Sequence, residues 1–428
     1  MKFIKNVKDV AEWRLCLGCG ACAYACPEGK VQLVDVTHDG IRPRVDAGGC
    51  SSCGECLKAC PGYETGHGTN REVFGDRIRY VDGFLREQLS AWGPVLEVWE
   101  GYAADPDLRF RGSSGGLVSA LAIYCIEQEG MFGAVHTGAH AETPWLNRTV
   151  VSHTRSDFLE RTGSRYSPAS PCDGFREMES APSPCVFIGK PCDVVGLRMT
   201  QKFRPELDRN VGLAIGFFCA GTPATQGLLD LMGRYNIDPE QVEEVRFRGI
   251  GWPGKFTVRL KGESGPACEI PYLESWGFLQ KYRPYRCHLC PDGTGEFADI
   301  ACGDPWYRDI PPGEKGHSLV LVRTEKGRKF LQGAIESGYA ILEQADPSII
   351  LRSQKNLLDK RGAIWGRLLA MRSFGVPVPK LEGFSLLENW KGIPFKEKLR
   401  STLGTARRIL QRGYYRPLKM NTTFDMKS

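Results

Sequence analysis

Cys16-Leu-Gly-Cys19-Gly-Ala-Cys22-Ala-Tyr-Ala-Cys26-Pro27 is followed, after 22 residues, by Cys50-Ser-Ser-Cys53-Gly-Glu-Cys56-Leu-Lys-Ala-Cys60-Pro61. Both stretches read C-x2-C-x2-C-x3-C-P, so the chain opens on an internal repeat. Three thiolates on one tight loop suit three corners of an iron–sulfur cubane, and a fourth held before proline points away to another cubane. The spacing therefore predicts two [4Fe–4S] clusters with crossed ligands. Cys16, Cys19, Cys22 and Cys60 hold one, and Cys50, Cys53, Cys56 and Cys26 the other. Gly18, Gly20 and Gly54 leave room for backbone wrapped closely around sulfur. Zinc sites use separate C-x2-C pairs rather than runs of three plus one. The apolar pieces Val31–Val36 and Ile41–Val45 between the runs predict a small hairpin.

This repeat takes eight of the 17 cysteines in a chain of 428 residues. Such a length buries a large core without disulfide staples. Met1 to Trp13 has no apolar signal-peptide core, and the longest apolar runs, Leu117–Ile126 and Val211–Ala220, are half of a bilayer crossing. The expectation is a soluble cytoplasmic protein whose thiols stay reduced for metals or catalysis. Hydrophobic residues at 42% and charged residues at 25% exclude a disordered or fibrous chain. The net charge of +6 is uneven: Lys391 to Ser428 holds ten Lys/Arg against two Asp/Glu, leaving 46 against 48 elsewhere. The main body has no basic field suited to nucleic acid. The tail reads first as a solvated terminal helix with a frayed end, and second as an arm for an acidic partner or anionic lipid.

Beyond the repeat, residues 1–70 read as the two-cluster ferredoxin-type domain, 71–100 as a linker, 101–380 as a larger α/β domain and 381–428 as the basic tail. Gly112-Ser-Ser-Gly-Gly116 leads into an apolar helix over Leu117–Gln128. Val186–Ile188 reads as a buried strand before the turn Gly189-Lys-Pro-Cys-Asp193 and a helix. Val211–Phe218 is a strand ending at Cys219, with a helix after Pro223. Repeated strand–turn–helix units predict an α/β domain with partly parallel strands.

Ser113, Ser114, Gly115 and Gly116 at a helix start suit an anion, since small residues let phosphate reach free N–H groups; a plain N-cap explains them as well. No Rossmann or P-loop fingerprint is present. Lys190 stands where a strand meets a helix, a common place for ligand contacts, although a surface lysine fits too. Cys192 and Cys219 follow the ends of predicted strands, and Cys287-His-Leu-Cys290 is a C-x2-C pair. Together they can complete a third metal site or be buried structural cysteines, and Cys302 is a rival ligand. Cys125, Cys172, Cys185 and Cys268 read as core or incidental residues. The seven histidines suggest no triad; Gly138 spoils a helical pairing of His136 with His140. His288 reads as a loop histidine rather than a proton donor. Arg165 and Tyr166 are candidates for holding an anionic substrate or flavin.

The same pieces, in order, carry a resemblance: Ser113-Ser-Gly-Gly116, Gly163-Ser-Arg-Tyr166, Phe187-Ile-Gly-Lys-Pro-Cys-Asp193, Phe218-Cys-Ala-Gly221, Phe247-Arg-Gly-Ile-Gly-Trp252, Cys287-His-Leu-Cys290 and Ala298-Asp-Ile-Ala-Cys-Gly-Asp-Pro-Trp306. Over about residues 95–380 the chain resembles the beta-subunit family of the deazaflavin (coenzyme F420) hydrogenases and dehydrogenases. That family includes the plant 7-hydroxymethyl chlorophyll a reductase. The resemblance implies FAD, with the Ser-Ser-Gly-Gly loop near its phosphates and the Gly-Lys-Pro turn nearby. It also implies a third [4Fe–4S] cluster held by Cys192, Cys219, Cys287 and Cys290. The family often has His after the cysteine of Phe218-Cys219; Ala220 stands there instead, so any proton-handling role of that His is absent.

Clusters move single electrons, whereas FAD converts these to hydride chemistry. The leading expectation is an FAD- and iron–sulfur-dependent oxidoreductase exchanging hydride with a small molecule, reduced deazaflavin being favoured. A ferredoxin-dependent reductase of a small organic substrate is one alternative. The other is an electron-relay subunit with no substrate site of its own. The partners expected are ferredoxin or another redox subunit, and a homo-oligomer is open.

Overall fold

The computed structural model describes residues 4–46, 50, 53–66, 83–418 and 424–425. Two short cysteine loops cannot build a core, so the N-terminal module is organised by its hairpin, β1 (Val31–Val36) against β2 (Gly40–Val45), antiparallel. Gly18 and Gly20 both adopt positive φ. A Cβ on Gly18 would stand 2.8 Å from the Ile41 carbonyl oxygen, so the loop lies against the hairpin only because glycine is there. A short strand, β3 (Glu64–Gly66), follows the second cysteine run outside the hairpin sheet.

The larger domain is built on an eight-stranded sheet. Its strands are β4 (Glu97–Ala103), β5 (Ala134–Ala139), β6 (Asn147–Ser152), β7 (Cys185–Gly189) and β8 (Val211–Phe217). A separate antiparallel sheet follows, β9 (Val242–Arg246), β10 (Lys255–Leu260) and β11 (Pro266–Pro271). The main sheet is completed by β12 (Ile300–Gly303), β13 (Ser318–Val322) and β14 (Ala340–Gln344), and runs β14-β4-β13-β12-β8-β7-β5-β6. Its middle, β12-β8-β7-β5, is parallel, and the flanking pairs are antiparallel. The parallel middle explains the unbroken apolar runs of β7 and β8: Val186, Phe187, Leu213, Ala214 and Ile215 are wholly buried, as strands covered on both faces must be.

Of the stretch expected as a connector, 71–100, the residues up to 82 lie outside the described part. Leu89–Trp92 is helical, and β4 begins at Glu97 and pairs with both β13 and β14. The buried Arg323 guanidinium donates to the carbonyls of Trp92 (2.6 Å) and Pro94 (2.8 Å), tying this stretch into the domain. Its sequence looks loop-like because the fixing partner is about 230 residues away.

The basic tail contains the expected terminal helix and is seated on the rest of the chain. β15 (Lys380–Glu382) pairs in parallel with β3. The helix Phe395–Arg412 packs on the helix Ile364–Ser373 with Ser401, Thr405 and Ile409 buried. No helix among the described residues is long and apolar enough to cross a membrane.

Candidate functional site

The N-terminal thiols fall into two groups. One small cavity is lined by Cys16, Cys19, Cys22 and Cys60, and another by Cys26, Cys50, Cys53 and Cys56. Each group thus takes three cysteines from one copy of the repeat and the fourth from the other copy. Burial first, then the neighbouring Cys19, Cys60 and Cys16, push the Cys22 thiol far above the usual range. Cys56 is raised by burial and then by Cys26, Cys50 and Cys53. Four crowded thiols resist ionising together, and a cationic cluster is what relieves that cost. The donor set fits such a group.

The parallel pairing of β7 with β8 puts Cys192 and Cys219 beyond the same edge of the sheet. Cys192 opens the helix Pro191–Gln201, and Cys287 and Cys290 lie on the short 3-10 turn Tyr285–Leu289 and its cap. The four thiols interact. Burial raises Cys192, with Cys219 and Cys290 adding to it, and burial with Cys287 and Cys290 pushes Cys219 up to about 12. Among the described residues no group of three His, Cys, Asp or Glu is placed to hold a single metal ion. Four cations border them: Lys190, Lys360, Arg283 and Arg286.

Arg286 is the informative one. It is 1% exposed, and its Nη2 donates to the Pro61 carbonyl at 3.3 Å. Its Nε and Nη1 have no hydrogen-bond partner in the protein. A buried guanidinium normally finds partners for its donors. The groups acting on its charge are Cys290, Cys192, Cys287 and Cys60, so it stands between the third thiol set and the Cys16/Cys19/Cys22/Cys60 set. Orphaned N–H groups there suit cluster sulfur acceptors. Cys302 is apart from this set, since burial alone pushes its thiol up to about 12.

Beside the third thiol set opens a cavity of about 480 Å³, lined by Gly112–Ser114, Gly116–Ser119, Arg161–Ser167, Lys190, Phe217–Thr222, Arg248, Tyr272, Trp276, Asp304 and Trp306 among others. Cys219 thus belongs to both. The helix Leu117–Glu127 starts at Gly116 with positive φ and no side-chain cap, so its first N–H groups are left unclaimed by a side chain. A Cβ on Gly115 would come within 3.1 Å of His317. The Ser113 hydroxyl accepts from the Ser164 amide (2.6 Å), and Ser114 donates to Asp304 (2.8 Å). The serines therefore brace the loop, which lines the cavity at Gly112–Ser114 and Gly116.

That bracing centres on a pair of residues to which sequence reasoning assigned no role. Arg248, buried, forks onto Asp304 (Nη1 to Oδ2 2.9 Å, Nη2 to Oδ1 2.7 Å) and donates to the Ser113 carbonyl (2.8 Å). The Trp252 indole donates to the same carboxylate at 2.7 Å. Both halves lie in family-like motifs, Phe247–Trp252 and Ala298–Trp306, but 56 positions apart. Trp306 stacks on Tyr272 (centroids 5.8 Å), and Tyr166 leans on Trp276 (5.0 Å), giving the cavity an aromatic wall.

Lys190 reaches the cavity, but its ammonium is bound to Asp193 at 2.7 Å and donates to the Ala169 carbonyl at 3.2 Å. Burial opposes its charge, while Asp193 and the Cys192 thiol hold it protonated. Arg165, also in the cavity lining, spends its guanidinium on Asn147 and the carbonyls of Pro144, Leu146 and Val245, so it pins the loops of the cavity wall. Cys172, expected to be a core or incidental residue, is fully buried; its thiol donates to the Asp193 carbonyl at 3.4 Å, and its amide donates to the Cys19 carbonyl at 3.0 Å. His288 is driven down to about 3 by burial and surrounding arginines, so it is neutral near pH 7.

Thiols gathered in fours in front of a mixed-sheet α/β domain define an iron–sulfur redox protein. Residues 15–62 match the model of the 4Fe-4S dicluster domain. Residues 98–174 and 184–348 match the N-terminal and C-terminal models of the coenzyme F420 hydrogenase/dehydrogenase beta subunit. The chain belongs to this beta-subunit family and carries the dicluster domain in front. It is 27% identical over 284 residues to the coenzyme F420 hydrogenase subunit beta of Methanococcus voltae, covering 65% of this chain and 95% of that one. It is 24% identical over 362 residues to a subunit of the F(420)H(2) dehydrogenase of Methanosarcina mazei, covering 83% and 92%. Among solved structures, a chain of the F420-reducing [NiFe] hydrogenase complex from Methanosarcina barkeri shares the fold. Its TM-score is 0.51 at 19% identity, over 76% of this chain and 96% of that one.

Proposed function

We propose that this iron–sulfur oxidoreductase moves electrons between a hydride-carrying small molecule at FAD in the large cavity and a line of three [4Fe–4S] clusters. The observation that carries this reading is the double membership of Cys219, which lines the cavity and belongs to the innermost thiol set. Arg286 then links that set to Cys60, and the outermost set ends at the exposed Cys53. Such an order leads from a cavity to the surface, where ferredoxin or another redox subunit can dock.

FAD bound in the cavity would supply the conversion between hydride and single electrons. The protein's part is positioning. The Ser113–Gly116 backbone and the free N–H groups of the following helix hold phosphate, with the positive helix end favouring its charge. The aromatic wall of Tyr166, Tyr272, Trp276 and Trp306 receives a flat ring and excludes water. Lys190, neutralised by Asp193, orders the turn that carries Cys192. Reduced deazaflavin is the favoured hydride donor, and a relay without its own substrate site needs no cavity of this size. In the larger redox assemblies that the relatives' names describe, this chain would be the subunit handling the hydride carrier.

The test is anaerobic purification with measurement of FAD and iron, then stopped-flow mixing with reduced deazaflavin. Bleaching of the flavin band followed by the cluster band is expected. Protein that holds no FAD and binds none when supplied defeats the reading. FAD binding without response to deazaflavin moves the choice to another hydride carrier.

A further inference from the structure

The terminal helix Phe395–Arg412 lies outside the matched segments, which end at residue 348. Eighteen residues make it about 27 Å long. Pro394 starts it, and Gly413 in the left-handed region stops it. Ser401, Thr405 and Ile409 face the body, and the Trp390 indole donates to the Ser401 hydroxyl at 3.2 Å. At about 100° per residue the opposite face carries Phe395, Leu399, Leu403 and Leu410, which are 72%, 44%, 61% and 57% exposed. Lys396, Arg400 and Arg407 run along one edge of this stripe. The helix has one acidic residue, Glu397, already paired with Arg400 at 3.5 Å.

We propose that this outward face is a membrane-surface contact: the leucine stripe enters the headgroup–acyl boundary of an anionic bilayer, and the flanking Lys and Arg reach lipid phosphates. A continuous apolar stripe with a basic margin is the pattern of a helix lying in the interfacial plane. Charge selects the occupant. From Lys391 onward the chain carries a surplus of eight positive charges, whereas the rest of it is two negative. A second copy would bring the same cations against the stripe, but a bilayer supplies an apolar interior and an anionic rim together. The helix is already folded and anchored on its inner face, so binding costs no ordering of the chain. The same helix leans on the loop that carries Cys287 and Cys290, with Arg408 over the Tyr285 ring at 6.0 Å. A bound membrane would thus lie one helix away from the third thiol set.

The test is co-sedimentation of the full-length, iron-loaded protein with vesicles of phosphatidylcholine containing roughly one phosphatidylglycerol in three, compared with phosphatidylcholine alone. Sedimentation with the anionic vesicles only, reversed by high salt, is expected. Leu399→Asp with Leu403→Asp should lower the bound fraction at least about tenfold at unchanged iron content. Arg400→Glu with Arg407→Glu should do the same, so the test survives if one variant folds poorly. No binding of the wild-type chain, equal binding to neutral vesicles, or undiminished binding of both variants overturns the proposal. So does a wild-type dimer that the leucine variant dissociates in the absence of vesicle binding; the face would then be an interface between copies.

Discussion

Asp304→Ala should be among the most damaging substitutions in the larger domain, although the residue is neither in the apolar core nor a cluster ligand. Its carboxylate accepts four hydrogen bonds: two from Arg248, one from Ser114 and one from Trp252. The Arg248 side chain is 2% exposed. Burial opposes its charge, but Asp304 and the neighbouring Tyr166 hold it protonated well above the ordinary range. Deleting the carboxylate strands that cation, which costs about 3–5 kcal/mol. Arg248→Leu should cost a comparable amount, because it also releases the Ser113 carbonyl. Replacing both together should cost much less than the sum, with a coupling of roughly 3 kcal/mol between contacting residues. The assay is urea unfolding at matched iron content, followed by the fluorescence of Trp252 and Trp306, which stack 5.5 Å apart beside the pair. Cofactor-bearing proteins depart from two-state unfolding, so the comparison should be restricted to variants with equal transition slopes. FAD titration is the second readout, since the pair braces the Ser113–Gly116 loop. A coupling below about 1 kcal/mol, or Asp304→Ala with wild-type stability, would refute the reasoning.

Cys26→Ala should abolish the cluster of Cys50, Cys53 and Cys56; spectroscopic loss of the Cys16/Cys19/Cys22 cluster alone would contradict the crossed arrangement. Fully loaded protein should contain about 12 iron atoms at four per cluster, falling to about eight in Cys287→Ala; a variant keeping all its iron would remove the third cluster. Arg286→Gln should lower the reduction potential of the clusters on either side, because a buried cation favours the added electron, and redox titration followed by EPR reads this directly. His136 carries a pH dependence: burial, then Arg161, hold its ring down to about 4 from 6.5, with Nε2 2.8 Å from the Ser152 hydroxyl. Between those values the unfolded chain binds the extra proton, so the contribution is complete above pH 6.5 and is lost as pH falls toward 4. It amounts to about 3 kcal/mol at roughly 1.36 kcal/mol per unit. His136→Gln should flatten the stability profile in that window, and an unchanged slope would assign it elsewhere.

Much of this was legible in the residues because the relevant constraints are local. The repeated cysteine spacing is imposed by cubane geometry on a single loop, so both runs and their crossing could be read from the sequence alone. The hairpin Val31–Val36 with its partner, the strands around Val186 and Val211, and the helix from Leu117 follow from short-range apolar pattern and turn residues. What only the tertiary structure decided involves partners distant in sequence. Arg323 draws residues 92–94 into the sheet domain, and β15 seats the tail on β3. Arg248 meets Asp304 across 56 positions, and Arg286 comes to rest between two thiol sets. Nothing in the local pattern distinguishes these arginines from solvated ones, because burial and pairing of a charge depend on which surfaces the fold brings together. Lys190 and Arg165 follow the same rule. Both line the cavity, and the fold also gives them protein partners that no local pattern announces: Asp193 for Lys190, and Asn147 with a ring of carbonyls for Arg165.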